Sequence, residues 1–177
     1  MPHHNIIQKA IKGDHSAFKE LYRLYSTEMF STSYRITNHK EESKDILQEA
    51  FLTSFQKIQS LKDAKAYRPW LKKIVINKSL AFLRVNKKEY ELQDIEEVET
   101  GGSQNWYSEI SIEQIKKEVQ NLPHSSRTIF ALYAFEGMLH KEIASILNIS
   151  NSTSKSQYKY ACTILKQRLT KFINYEI

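Results

Sequence analysis

The chain is poor in helix breakers, with four glycines and three prolines among 177 residues. A turn-rich sandwich or barrel uses more of both, so the scarcity argues for helices. A single cysteine, Cys162, excludes a disulfide framework. There is no run of about 18 apolar residues and no signal peptide, which leads us to expect a soluble, cytoplasmic protein. Glycine-rich phosphate loops, Cys/His metal spacings and a nucleophile set beside a base are also missing, so we expect no enzyme, no metal and no cofactor. His3 and His4 fall at an end expected to fray, and His15, His39, His124 and His140 fall near helix starts as surface or capping residues. Acidic residues are the minority, 20 against 26 Lys and Arg, for a net charge of +6. That balance favours a polyanionic partner.

What is present is organised by charge. Residues 1–88 hold 17 basic and 8 acidic side chains, residues 89–109 hold seven acids and no Lys or Arg, and residues 110–177 hold 9 basic and 5 acidic. The middle block also contains Gly101 and Gly102, half of all the glycine. The pattern predicts an all-α protein: two small helical domains, 1–88 and 110–177, joined by a flexible acidic linker over 89–109.

Apolar residues at helical spacing predict the individual helices. In the first domain these are a short helix before Lys12, one led by Asp14 to about Ile36, one from about Lys40 to Gln59, and one from Tyr67 to about Lys87 with Pro69 in its first turn. The second domain reads as four helices, Ser111 to Asn121, His124 to Phe135, His140 to Leu147 and Ser152 to Ile173.

The stretch from Leu139 to Tyr158 has the layout of a helix-turn-helix, with Ile143, Leu147 and Ile149 in its core and Asn148 at the turn position that favours positive φ. Ser150, Asn151 or Ser152 caps the second helix. That helix turns Ser154, Tyr158, Ala161, Leu165 and Leu169 inward and Thr153, Lys155, Ser156, Lys159 and Lys166 outward, a face suited to a major groove. In the first domain, Asp45, Gln48, Glu49 and Leu52 form a polar-edged strip at i, i+3, i+4 and i+7. The block YRPWLKKIVINKSLAFLR, Tyr67 to Arg84, interleaves aromatics with cations, the combination that grips unpaired DNA.

These blocks, with AFKELYRLYS at 17–26 and LPHSSRTIFALYAFEG at 122–137, resemble a bacterial extracytoplasmic-function sigma factor (group 4, RpoE-like), a promoter-recognition subunit of RNA polymerase. The resemblance covers about Ala17–Arg84 for region 2 and Leu122–Leu169 for region 4. It implies a sigma factor that binds core RNA polymerase and directs promoter recognition and transcription initiation. Asp45, Gln48, Glu49 and Leu52 would dock on the clamp helices of the largest subunit, with a second contact at the flap region of the second largest. Tyr67, Arg68, Trp70, Lys72, Lys73 and Asn77 would capture the single-stranded minus-10 element, with the loop Ser60–Ala66 before them. Thr153, Lys155, Ser156, Gln157 and Lys159 would read the duplex minus-35 element. Promoter DNA and core polymerase are the expected partners; an anti-sigma factor is common in the family, and no small-molecule substrate is expected. The sequence departs from the family pattern at Gln157 and Tyr160, where basic residues are usual, at Asn148 in place of the turn glycine, and at Lys141 in a commonly acidic position. A polymerase-independent helix-turn-helix regulator is the alternative reading; it accounts for residues 122–169 and leaves the strip at Asp45 and the block at Tyr67 unexplained.

Overall fold

A computed structural model describes residues 3–85 and 111–173. Its backbone divides into two compact units, Met1–Asn86 and Lys87–Ile177. The acidic linker expected at 89–109 lies outside the described residues.

The first unit contains α1 (His4–Ile11), α2 (His15–Thr37), α3 (Lys40–Lys57) and α4 (Tyr67–Val85). Asp14 starts α2 by accepting the Ser16 amide at 2.9 Å and the Ser16 hydroxyl at 2.6 Å, and these bonds hold its carboxyl below the usual range. Asn38 ends the helix in the left-handed region, φ 59°, and its N–H returns to the Tyr34 carbonyl at 2.8 Å. Glu41 and Glu42 sit in the first turn of α3, where the positive end of the helix dipole favours them. Two short 3₁₀ turns, Ile58–Ser60 and Ala64–Ala66, carry the chain to α4. Asp63 caps the second of these by accepting the Lys65 amide at 2.9 Å.

Helices α2, α3 and α4 pack on one another around Leu21, Met29, Phe51, Ile58, Leu71 and Val75. Each such side chain stabilises the unit by about 1.5–3 kcal/mol when fully buried. The three helix pairs are also joined by buried hydroxyls. Ser79 Oγ donates to Ser33 Oγ at 3.0 Å between α4 and α2, Thr37 and Ser43 share a hydrogen bond of 2.8 Å between α2 and α3, and Ser54 and Tyr67 lie 3.4 Å apart between α3 and α4. The serines and threonine let the helices approach closely, and the hydrogen bonds offset the desolvation of their hydroxyls.

The second unit contains α5 (Ile112–Gln120), α6 (His124–Phe130), α7 (His140–Leu147) and α8 (Asn151–Ile173). A capping box starts α5: the Gln114 amide donates to Ser111 Oγ at 3.2 Å, and the Ser111 amide to Gln114 Oε1 at 2.8 Å. The helix expected over 124–135 is regular only to Phe130 and then widens into a π turn, Ala131–Phe135. That turn seats Phe130 on Tyr158, with centroids 5.7 Å apart, and Tyr133 on His140 at 4.2 Å. Val119, Leu122, Ala161, Leu165 and Leu169 form a core between α5 and α8. Among the described residues there is no strand, and no helix is long and apolar enough to cross a membrane.

Candidate nucleic-acid interface

The helix-turn-helix is built by α7 and α8. Asn148 ends α7 at φ 55°, ψ 47°, a backbone conformation that asparagine tolerates better than most residues with a Cβ. Ser150 is the residue that caps α8: its hydroxyl oxygen accepts the Thr153 amide at 2.9 Å, and its carbonyl accepts the Ser154 amide at 3.1 Å. At the other end of the motif, Glu142 Oε2 accepts the Leu139 amide at 2.8 Å.

Lys155, Ser156 and Lys159 are exposed on α8, and Thr153 is half-buried beside Ser150, to whose hydroxyl its own is bonded at 2.8 Å. Gln157 departs from expectation. It is 4% exposed, and its Oε1 accepts the Ser126 hydroxyl of α6 at 2.6 Å. Three residues before it on the same inner face, Ser154 is fully buried and bonded to His140 Nδ1 at 2.9 Å. Two polar side chains thus fill positions where apolar ones would pack, and each is matched by a partner on α6 or α7. A reading face that includes Gln157 has to be corrected to Thr153, Lys155, Ser156 and Lys159, since the carboxamide is already committed inside. Burial holds the His140 imidazole below its ordinary value, and the charge of Lys155 pushes it the same way.

In the first unit, α3 presents Asp45, Gln48, Glu49 and Leu52 together on its exposed side; Leu52 is 62% exposed. Glu49 reaches across to Lys78 of α4 at 3.0 Å. Between the two helices runs a cleft of about 350 Å³, whose lining includes Asp45, Ile46, Glu49, Phe82 and Val85.

Helix α4 divides the expected minus-10 residues by its own geometry. Trp70, Lys73 and Asn77 follow one another at i, i+3 and i+7 along one stripe, with Lys73 and Asn77 exposed and Trp70 half-buried. Arg68 and Lys72 turn to another flank, where Glu28 of α2 meets both. Tyr67 is the second correction. It is fully buried among the core side chains, its ring centroid 5.7 Å from that of Tyr25, so it presents no face for a base. Burial pushes its phenol up to about 12. Aromatic and cation spacing alone does not separate an interface ring from a core ring, and Tyr67 has the inward register shared by Leu71 and Val75.

Glu28 was not legible as part of this site, being 40 residues from Arg68 in sequence. Partial burial raises its carboxyl, but the hydrogen bond from Arg68 and the charges of Arg68 and Lys72 outweigh that and hold it below the carboxylate range. His3 and His4, expected to fray, open α1 instead and line a cavity of about 710 Å³ with Glu28, Arg68 and Lys72.

Residues 21–89 match the family described as Sigma-70 region 2, and residues 112–163 match Sigma-70, region 4; together they span well over half of the chain. The ECF RNA polymerase sigma factor SigW of Bacillus subtilis strain 168 is 29% identical over 178 residues, covering 92% of this chain and 94% of the relative. The chain belongs to the ECF sigma factors. A second relative of this sigma factor, ECF RNA polymerase sigma factor SigM of the same organism, is 27% identical over 160 residues, covering 89% of this chain and 98% of the relative. Its fold is similar to that of the sigma factor RpoE solved in complex with the anti-sigma factor NepR from Bartonella quintana: TM-score 0.52, 22% identity, 87% of this chain and 96% of that one. As a sigma factor, the protein binds core RNA polymerase and promoter DNA and acts in transcription initiation. The α3 strip, the outer stripe of α4 and the outer face of α8 are its candidate contact surfaces.

Proposed function

We propose that the two units divide promoter recognition between them, in the cytoplasm and without catalysis by this chain. Residues 1–88 dock on the clamp helices of the largest polymerase subunit through Asp45, Gln48, Glu49 and Leu52. They hold the opened minus-10 element with Arg68, Trp70, Lys72, Lys73 and Asn77. Residues 110–177 read the duplex minus-35 element with Thr153, Lys155, Ser156 and Lys159 and contact the flap region of the second-largest subunit. An anti-sigma factor that covers these surfaces would hold the protein inactive.

The observation that carries this reading is the unbroken exposure of Asp45, Gln48, Glu49 and Leu52 on one side of α3, opposite a face that is wholly buried. A helix already anchored by Ile46, Leu47, Ala50 and Phe51 uses none of those four residues for its own core. Three polar side chains around an exposed leucine suit a partner that supplies complementary polar groups and covers an apolar centre. Reversing the charges with Asp45→Lys and Glu49→Lys tests it. The double variant is expected to lose core polymerase in pull-down and to lose run-off transcription on genomic promoter fragments, with its circular dichroism unchanged. Retained core binding would show that the docking surface lies elsewhere.

A further inference from the structure

The cations of α4 are not equivalent. Lys73 shares the outer stripe with Trp70 and Asn77, while Arg68 and Lys72 close on Glu28 of α2. Arg68 donates twice to that carboxylate, Nε to Oε2 at 2.9 Å and Nη2 to Oε1 at 2.9 Å, and Lys72 Nζ lies 3.5 Å from Oε1. A guanidinium fork and an ammonium converging on the oxygens of one anion are also the means by which these side chains hold a phosphate. The cluster sits at the wall of the 710 Å³ cavity, whose floor includes Ile7, Leu24 and Tyr25. Among the described residues that line the cavity, Glu28 is the one carboxylate, beside Lys65, Arg68, Lys72 and two histidines. The Arg68 side chain is 62% exposed, while those of Glu28 and Lys72 are 31% and 27% exposed, so a second anion can reach the guanidinium from solvent and compete with the carboxylate for it.

We propose that Glu28 is a built-in competitor for DNA phosphate: it occupies Arg68 and Lys72 in the free protein and yields them when a single strand is laid across the cavity wall. This rests on the reading of α4 as the single-strand face. The consequence is selectivity. A stray strand must displace a carboxylate already in place, whereas a strand held against α4 by the polymerase does so intramolecularly, at high effective concentration.

The test uses the full chain and a fluorescein-labelled 12-nucleotide single strand of mixed sequence, with anisotropy followed over a range of NaCl. Single-strand binding falls with salt by a slope of about 0.7 per neutralised phosphate, so each further phosphate held strengthens binding roughly fivefold at 0.1 M relative to 1 M salt. Glu28→Gln is expected to tighten binding about fivefold or more at 0.1 M and to steepen the slope by about 0.7–1.4. Glu20→Gln removes the same charge from α2, where Glu20 pairs with Arg23 at 3.4 Å, and is expected to leave the slope unchanged. With Arg68→Ala and Lys72→Ala in place, Glu28→Gln should have no further effect. Equal tightening by Glu20→Gln would reduce the effect to net charge and overturn the proposal. If Glu28→Gln changes nothing while Arg68→Ala weakens binding, Glu28 is no competitor and the α4 reading stands. If neither variant moves binding, the α4 reading itself fails and the proposal with it. Should Glu28→Gln melt early, Glu28→Asp withdraws the carboxylate by one methylene and should steepen the slope in the same direction.

Discussion

Lys155 and Gln157 stand two residues apart on α8 and face opposite ways, and that turn of the helix gives them opposite roles. Gln157 is buried against α6, where its Oε1 accepts the Ser126 hydroxyl at 2.6 Å. Truncating it strands the Ser126 hydroxyl in a dry interior, a loss of about 1–3 kcal/mol for an unsatisfied buried group. Gln157→Ala should therefore lower the stability of the second unit by that amount in denaturant titrations. Lys155 is exposed, and its charge bears on His140 without a hydrogen bond between them. Above pH 7, where the His140 ring is neutral, Lys155→Ala should leave stability unchanged, and it should lower the salt slope of duplex binding by about 0.9, the share of one phosphate. The reverse pattern, a silent Gln157→Ala and a destabilising Lys155→Ala, would contradict the burial that separates them. Tyr67 follows the same logic in the first unit: it has the composition of a base-stacking residue and the location of a core one.

Between elements, the helix-turn-helix depends on one titratable joint. His140 at the start of α7 bonds to buried Ser154 of α8 at 2.9 Å, stacks on Tyr133 of the π turn at 4.2 Å and meets Tyr158 edge-on at 5.6 Å. The charged group bearing on it is Lys155, which, after burial, helps to hold the imidazole below its ordinary 6.5. The folded state thus prefers the neutral ring, while the unfolded chain protonates it more readily. Stability from this joint is complete above about pH 6.5 and is lost as pH falls from there through the lowered folded value. Denaturant titrations of residues 110–177 between pH 8 and pH 5 should show that decline, and His140→Asn should flatten it. A wild-type profile flat over this range would mean that the ring is not held neutral. The elements themselves were largely legible, because their boundaries are set locally: Asp14 caps α2, Pro69 falls within the first turn of α4, and Asn148 turns α7 into α8. The π turn was not legible, because stacking on Tyr158 and His140, residues of two other helices, accompanies it.

At the scale of the whole molecule, the backbone forms two units, each with its own core. Among the described residues, the side chains that form the apolar core of the first come from α1 to α4 and the turns between them, which predicts that residues 1–86 fold alone. The isolated fragment should be helical by circular dichroism and melt cooperatively at the temperature of one transition of the full chain. A fragment that is unfolded, or that melts far lower, would show that the second unit contributes to its stability.

Periodicity, capping and charge act over a few residues at a time, so the helical class, the two basic segments around an acidic one, the helix-turn-helix and the strip on α3 are all legible along the chain. So is the family resemblance, which rests on the order of those blocks. That Tyr67 and Gln157 face inward, and that Arg68 and Lys72 share Glu28 across 40 and 44 positions of chain, follows from the packing of whole helices. Which face of a helix is buried depends on what packs against it, and an ion pair between helices depends on where folding brings their ends; neither is written in the spacing of a single segment.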